Sequence, residues 1–300
     1  MFAGCGTALI TPFLADGSLD EATLRKLVRR QIDLGIDFLV PCGTTGESPT
    51  ITLEEHLRVV KLTVEEAAGK VPVLAGAGGY FTREVIELAE GCAAMGADGI
   101  LSVTPYYNKP TQEGLFKHYQ ALAEAVPLPI IVYSVQGRTG VNVEPATLAR
   151  LATLKNIVGV KEASGNIAQM ANVLHEVPAG FKVLSGDDSI TIALMGLGGH
   201  GLISVAANEI PAQMTALVRH CREGNFAAAR EIQREYLPLM NINFVESNPQ
   251  PVKAAMALMG LCEPVWRLPM VPPSAASEAS VKAVLSACGL LKEQAQHASR

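Results

Sequence analysis

The sequence predicts an α/β fold: a closed (β/α)8 barrel, or TIM barrel, with a C-terminal helical appendage. Three observations predict it. Eight short β-rich runs, nearly continuous in their apolar character, alternate with longer amphipathic segments, as expected of parallel strands buried on both faces. The units recur about every 25 to 30 residues, and a closed barrel accounts for that regularity better than an open sheet with edge strands. Near residue 222 the strand-like runs stop and helical patterning takes over.

The runs are CGTALITPF (5–13), FLVPCG (38–43), VPVLAGAG (71–78), GILSVTP (99–105), LPIIVYSV (128–135), IVGVKEAS (157–164), FKVLSGDD (181–188) and GLISVAA (201–207). Several intervening helices carry start signals. Ser18 with Glu21, and Thr52 with Glu55, fit the capping box, in which side chains satisfy the free amides of a helix start. Pro145 suits a first helical turn. Beyond the barrel, assigned to 1–224, a C-terminal three-helix region at 225–300 is expected to hold helices near 226–240, 248–259 and 275–288, joined by Pro-rich turns such as PMVPPS.

Composition narrows the function classes. The 300 residues are 49% apolar and 18% charged, ample material for a core and incompatible with disorder. A net charge of −5 and the absence of a Lys/Arg-rich run argue against nucleic acid as a partner. The uncharged stretch Ser189–Asn208 has the length of a membrane span. Gly196, Gly198, Gly199 and Gly201, beside His200, split it into a short helix, a turn and a strand, so no membrane association is expected. The N-terminal sequence does not read as a signal peptide, which with the cysteine usage implies a cytoplasmic protein. The six cysteines form no CxxC pair and the six histidines no HxH or HExxH spacing, so no metal is expected. GAGGYF at 76–81 lacks the third glycine of GxGxxG, and GxxxxGK[ST] and GxSxG do not occur; no cofactor is implied.

In such a barrel, chemistry belongs at the carboxyl ends of the strands. Run six ends VGVKEAS. If Lys161 points inward, alternation sends Gly159 and Ala163 inward with it, while Val158 and Val160 face the helices. A lysine between two small residues in an apolar barrel is stripped of water, which favours the neutral amine that attacks carbonyls. The competing reading is an ion pair with a neighbouring carboxylate. Run five places Tyr133 inward with Arg138 just beyond it: a hydroxyl able to relay protons and a guanidinium able to hold a carboxylate, or else a core aromatic and a surface charge. Run two ends CGTTGES, whose hydroxyls and amides either bind a carboxylate or form an ordinary polar turn. Run four ends TPYYNKP; adjacent Tyr106 and Tyr107 cannot face the same way, so one serves a site and the other an interface, unless the pair is a plain aromatic turn.

Taken in order, GTALITPF, CGTTGES, AGAGGYFTREVIELA, GADGILSVTPYYNKPTQEGL, YSVQGRTGVN, IVGVKEASGN, VLSGDD and GGHGLISVAAN resemble the dihydrodipicolinate synthase (4-hydroxy-tetrahydrodipicolinate synthase) family of pyruvate-dependent class I aldolases, over nearly the whole chain. The resemblance implies a Schiff base between Lys161 and pyruvate, whose enamine attacks L-aspartate 4-semialdehyde. It implies a proton relay of Tyr133, Thr44 and Tyr107, with Tyr107 reaching in from a neighbouring subunit. Thr45 would hold the pyruvate carboxylate, Arg138 that of the aldehyde, and Gly186 and Ile203 would line the pocket through their backbone. A homotetramer built from two tight dimers is the expected assembly.

The loop that reads Tyr-Asn-Val-Pro in the family is Tyr133-Ser134-Val135-Gln136 here, and alternation puts Ser134 on the face away from Tyr133. Arg138 argues for the synthase over the sialic-acid lyases of the superfamily. The rivals are another pyruvate aldolase, of 4-hydroxy-2-oxoglutarate or N-acetylneuraminate lyase type, and a non-catalytic keto-acid-binding protein on the same scaffold. Many relatives are inhibited by L-lysine between paired subunits. The matching positions Ser48, His56, Glu84 and Tyr106 are present, but Leu53 and Tyr80 replace residues that are commonly polar, which predicts weak or absent inhibition.

Overall fold

The structure, a computed structural model, describes residues 1–291. Eight parallel strands, β1 (Gly4–Ala8), β2 (Phe38–Val40), β3 (Leu74–Gly76), β4 (Gly99–Val103), β5 (Ile130–Ser134), β6 (Ile157–Glu162), β7 (Lys182–Ser185) and β8 (Gly201–Ser204), pair in the order β2-β1-β8-β7-β6-β5-β4-β3. A parallel bridge between Leu39 and Val73, with Leu39 N–H donating to Pro72 C=O at 3.0 Å, joins β2 to β3 and closes the barrel. Seven of the eight sequence runs contain one strand each and the first overlaps β1, which starts one residue earlier at Gly4; the stretch Ser189–Asn208 divides as its glycines require, into the helix Thr191–Gly196, a turn and β8. No helix among the described residues is long and apolar enough to cross a membrane.

Alternation along the strands builds two cores. Ala8, Phe38, Val40, Leu74, Leu101, Ile131, Tyr133, Leu184 and Ile203 fill the barrel interior, and Phe2 packs edge-on against Phe38. The outward residues, among them Leu39, Ile100, Val132, Val160 and Val183, join the inner faces of the helices in a larger cluster. Burying each such side chain contributes about 1.5–3 kcal/mol. The interior is tight: a Cβ on Gly6 would lie 2.1 Å from the Phe38 ring, so only glycine fits there.

Val158 departs from simple alternation. It packs against the interior cluster rather than facing the helices, because the β5–β6 register shifts between Ile130 and Ile131 and displaces the start of β6. Val160 beyond the shift faces outward as predicted.

Thr52 and Glu55 form the capping box of the helix Leu53–Ala67, and Pro145 opens the helix Pro145–Leu151. The pairing of Ser18 with Glu21 does not occur. The helix Glu21–Asp33 is capped by Asp20, which accepts from Thr23 N–H at 2.9 Å. Ser18 instead belongs to a turn with Asp16, and the Glu21 carboxylate pairs with Arg58 at 2.6 Å. A cap must sit directly before the first turn, and Asp20 is nearer to it than Ser18.

The helices Phe226–Ile242, Gln250–Leu258 and Ala275–Ala287 follow the barrel. Tyr236, Leu239, Val281 and Leu285 share the outer hydrophobic cluster with the barrel helices, so these segments are seated on it.

Candidate active site

Lys161 lies in β6 level with Tyr133 in β5, one strand away. Its side chain is 5% exposed, and Nζ stands 4.2 Å above the centre of the Tyr133 ring, whose negative face attracts a cation. No carboxylate lies within ion-pair distance of it among the described residues, which removes the structural alternative read from the sequence. Glu162 follows it in the strand but points to the opposite face, where Gln169 donates to it at 2.8 Å; burial raises its carboxyl above the usual range.

Gly186, just past β7, keeps the lysine's space open. A Cβ there would come within 2.6 Å of Ala163 Cβ and 3.1 Å of Lys161 Cε. Its N–H donates to Glu162 C=O at 2.8 Å, extending the ladder by one step. Ile203 is fully buried in the barrel interior in the same cluster as Tyr133.

A cavity of about 260 Å³ opens beside Tyr133 at the carboxyl ends of the strands. Thr44, Ser48, His56, Tyr106 and Arg138 line it together with Tyr133, so two sets of sequence candidates share one space. Lys161, Thr45, Gly186 and Ile203 are not part of this wall; Lys161 adjoins it through Tyr133, with Nζ 4.2 Å from that ring's centre. His56 is buried, which lowers its affinity for a proton, and its Nε2 donates to Gly76 C=O at 2.7 Å. Burial raises the Tyr106 hydroxyl above its usual range, helped by Tyr80 and Glu84 nearby. Tyr80 meets Tyr106 edge to face, with ring centres 5.4 Å apart.

Tyr107 is 91% exposed and adopts φ 65°, so the chain turns it away from its own barrel. Of the two adjacent tyrosines, Tyr106 therefore serves the cavity, and Lys161, Tyr133 and Tyr107 are not brought together within one chain. Ser134 faces away from Tyr133 as predicted, its hydroxyl accepting from Val143 N–H at 3.2 Å.

Thr45 is buried, and its Oγ1 accepts from Asn248 Nδ2 at 2.9 Å. Arg138, in the helical turn Gln136–Thr139, donates from Nη2 to the Asn248 backbone carbonyl at 3.1 Å. Close by, Lys253 pairs with Glu47, both side chains fully buried, and Arg267 N–H donates to the same carboxylate. Burial pulls the Lys253 ammonium down in proton affinity while Glu47 opposes the shift. Sequence reading did not single out Asn248, Glu47 or Lys253. Lys253 had a signal, a lone charge in the apolar run PVKAAMAL; Asn248 had none, because its partners are distant in the chain.

The profile of the dihydrodipicolinate synthetase family matches residues 1–288. A 4-hydroxy-tetrahydrodipicolinate synthase of Koribacter versatilis (strain Ellin345) is 51% identical over 290 residues, 96% of this chain and 97% of that protein. The crystal structure of dihydrodipicolinate synthase from Thermotoga maritima superposes with a TM-score of 0.95 at 46% identity, covering 97% of this chain and 100% of the other. The chloride-inhibited dihydrodipicolinate synthase of Acinetobacter baumannii, solved with pyruvate, gives a TM-score of 0.95 at 42% identity, covering 97% and 100%.

Proposed function

The chain belongs to the dihydrodipicolinate synthetase family, and from that premise we propose how its own residues divide the work. Its function is that of a 4-hydroxy-tetrahydrodipicolinate synthase, a lyase of the Schiff-base-forming aldolase type in lysine and diaminopimelate biosynthesis.

In this reading Lys161 Nζ adds to the C2 carbonyl of pyruvate, and loss of water leaves the Schiff base. The iminium draws electrons from C3, which gives up a proton and becomes the enamine nucleophile. The enamine attacks the aldehyde carbon of L-aspartate 4-semialdehyde, and the substrate's own amine then displaces Lys161 as the ring closes. Tyr133, Thr44 and Tyr107 carry the protons, Thr45 binds the pyruvate carboxylate, and Arg138 binds the carboxylate of the aldehyde. Gly186 and Ile203 bound the space through their backbone. Tyr107 acts in a neighbouring copy, within a homotetramer of two tight dimers; its 91% exposure in the single chain supports that role. Ser48, His56, Tyr80, Glu84 and Tyr106 form the candidate effector site, and the six free cysteines suit a cytoplasmic address.

One observation carries the reading. Lys161 is almost wholly removed from water, has no carboxylate at ion-pair distance among the described residues, and faces Tyr133 at 4.2 Å. The test is turnover of pyruvate with a panel of aldehydes. L-Aspartate 4-semialdehyde is expected to be consumed and N-acetylmannosamine not, because Arg138 selects an aldehyde bearing a carboxylate; the reverse preference would overturn the assignment.

A further inference from the structure

A threonine hydroxyl has one proton and two lone pairs, so whichever neighbour donates to it decides where the proton is free to go. At Thr45 that neighbour is Asn248, whose Nδ2 donates to Oγ1 at 2.9 Å and so turns the hydroxyl proton away from itself. The same residue's backbone carbonyl takes Arg138 Nη2 at 3.1 Å. One residue from beyond the barrel thus holds a hydroxyl and a guanidinium that stand on different strand ends. Asn248 is 4% exposed, and its Oδ1 is buried without a partner among the described residues. An unmet buried acceptor is costly, and packing alone gives no reason to keep an amide there. The buried Lys253–Glu47 pair ties the same two segments together.

We propose that Asn248 is a positioning residue: its amide sets the Thr45 hydroxyl as a donor to the pyruvate carboxylate, and its carbonyl steers Arg138 toward the second carboxylate. The inference rests on the function proposed above. A carboxylate only accepts hydrogen bonds, so a hydroxyl whose proton is committed elsewhere could not bind it.

The test compares Asn248→Ala, Thr45→Val and the double variant of the full chain. Asn248→Ala is expected to raise the KM for pyruvate about tenfold while changing kcat by less than about threefold. In the Thr45→Val background the same change is expected to add nothing, since there is no hydroxyl left to orient. Should the alanine variant fail to fold, Asn248→Asp keeps the shape but can only accept. It takes the hydroxyl proton, so its effect on KM shrinks when Thr45 is valine. An unchanged KM, or effects that multiply in the double variant, would overturn the role, and a purely structural residue would lower the melting temperature without moving KM. Borohydride trapping of pyruvate on the wild-type chain separates the two failures. Trapping with an unaltered KM in the variants refutes only the role of Asn248; no trapping on Lys161 refutes the function beneath it.

Discussion

Lys161 meets Tyr133 because strand alternation turns residues 159, 161 and 163 to one face and the β5–β6 register sets the two side chains level. Gly186 then leaves the room a larger residue would take. The same scale decides the effector question. Tyr80 and Leu53 stand where L-lysine-sensitive relatives commonly carry polar side chains, and Tyr80 packs edge to face on Tyr106. Each missing hydrogen-bond partner weakens binding by about 1 kcal/mol. Submillimolar L-lysine is therefore expected to leave pyruvate turnover unchanged in an initial-rate assay, and half-maximal inhibition in that range would refute the expectation. Lys161 and Tyr133 were legible because each sits on a strand, where direction follows from parity. Val158 was not, since one register shift at Ile130 cancels parity and leaves no mark in composition.

At the scale of elements, the loop after β2 is held from the far end of the chain. Glu47, three residues past Thr44, pairs with Lys253 across 206 positions, and Asn248 reaches Thr45 across 203. Lys253→Met would leave the Glu47 charge buried and uncompensated, which costs about 3–5 kcal/mol. Urea unfolding is expected to show a loss of that size, most of it recovered when Glu47→Gln is added. A loss below about 1 kcal/mol would place the pair with ordinary surface bridges. Local signals served well where partners are close in sequence, as in the Thr52–Glu55 box. They could not show that the C-terminal helices help to build the site, because nothing in PVKAAMAL names Glu47 as the partner of Lys253.

The whole molecule joins a narrow interior, made possible by glycines such as Gly6, to a broad outer core that extends into the C-terminal helices. Glu209 lies in that seam, fully buried, where Asn243 Nδ2 donates to Oε2 at 2.6 Å. Burial lifts its carboxyl from 4.5 to about 8. The folded chain therefore holds a proton there that the unfolded chain releases above pH 4.5. The stabilisation is complete below pH 4.5 and is lost as pH rises to about 8. Glu209→Gln is expected to remove that slope, up to about 1.4 kcal/mol per pH unit, from the unfolding free energy. Equal slopes in variant and wild type would show that Glu209 does not titrate in this window. Closure of eight strands was legible from their count and spacing; this buried acid was not, since its bonding partner Asn243 stands 34 positions away, just past the helix Phe226–Ile242.

The central claim is that the barrel presents Lys161 as the carbon–nitrogen bond-forming group. Borohydride reduction in the presence of pyruvate, followed by mass mapping of the modified peptide, tests it most directly. The account predicts a single reduced pyruvyl adduct on Lys161, absent in Lys161→Arg, which keeps the charge and loses the nucleophile. An adduct on another lysine, or none under conditions that support turnover, would contradict it.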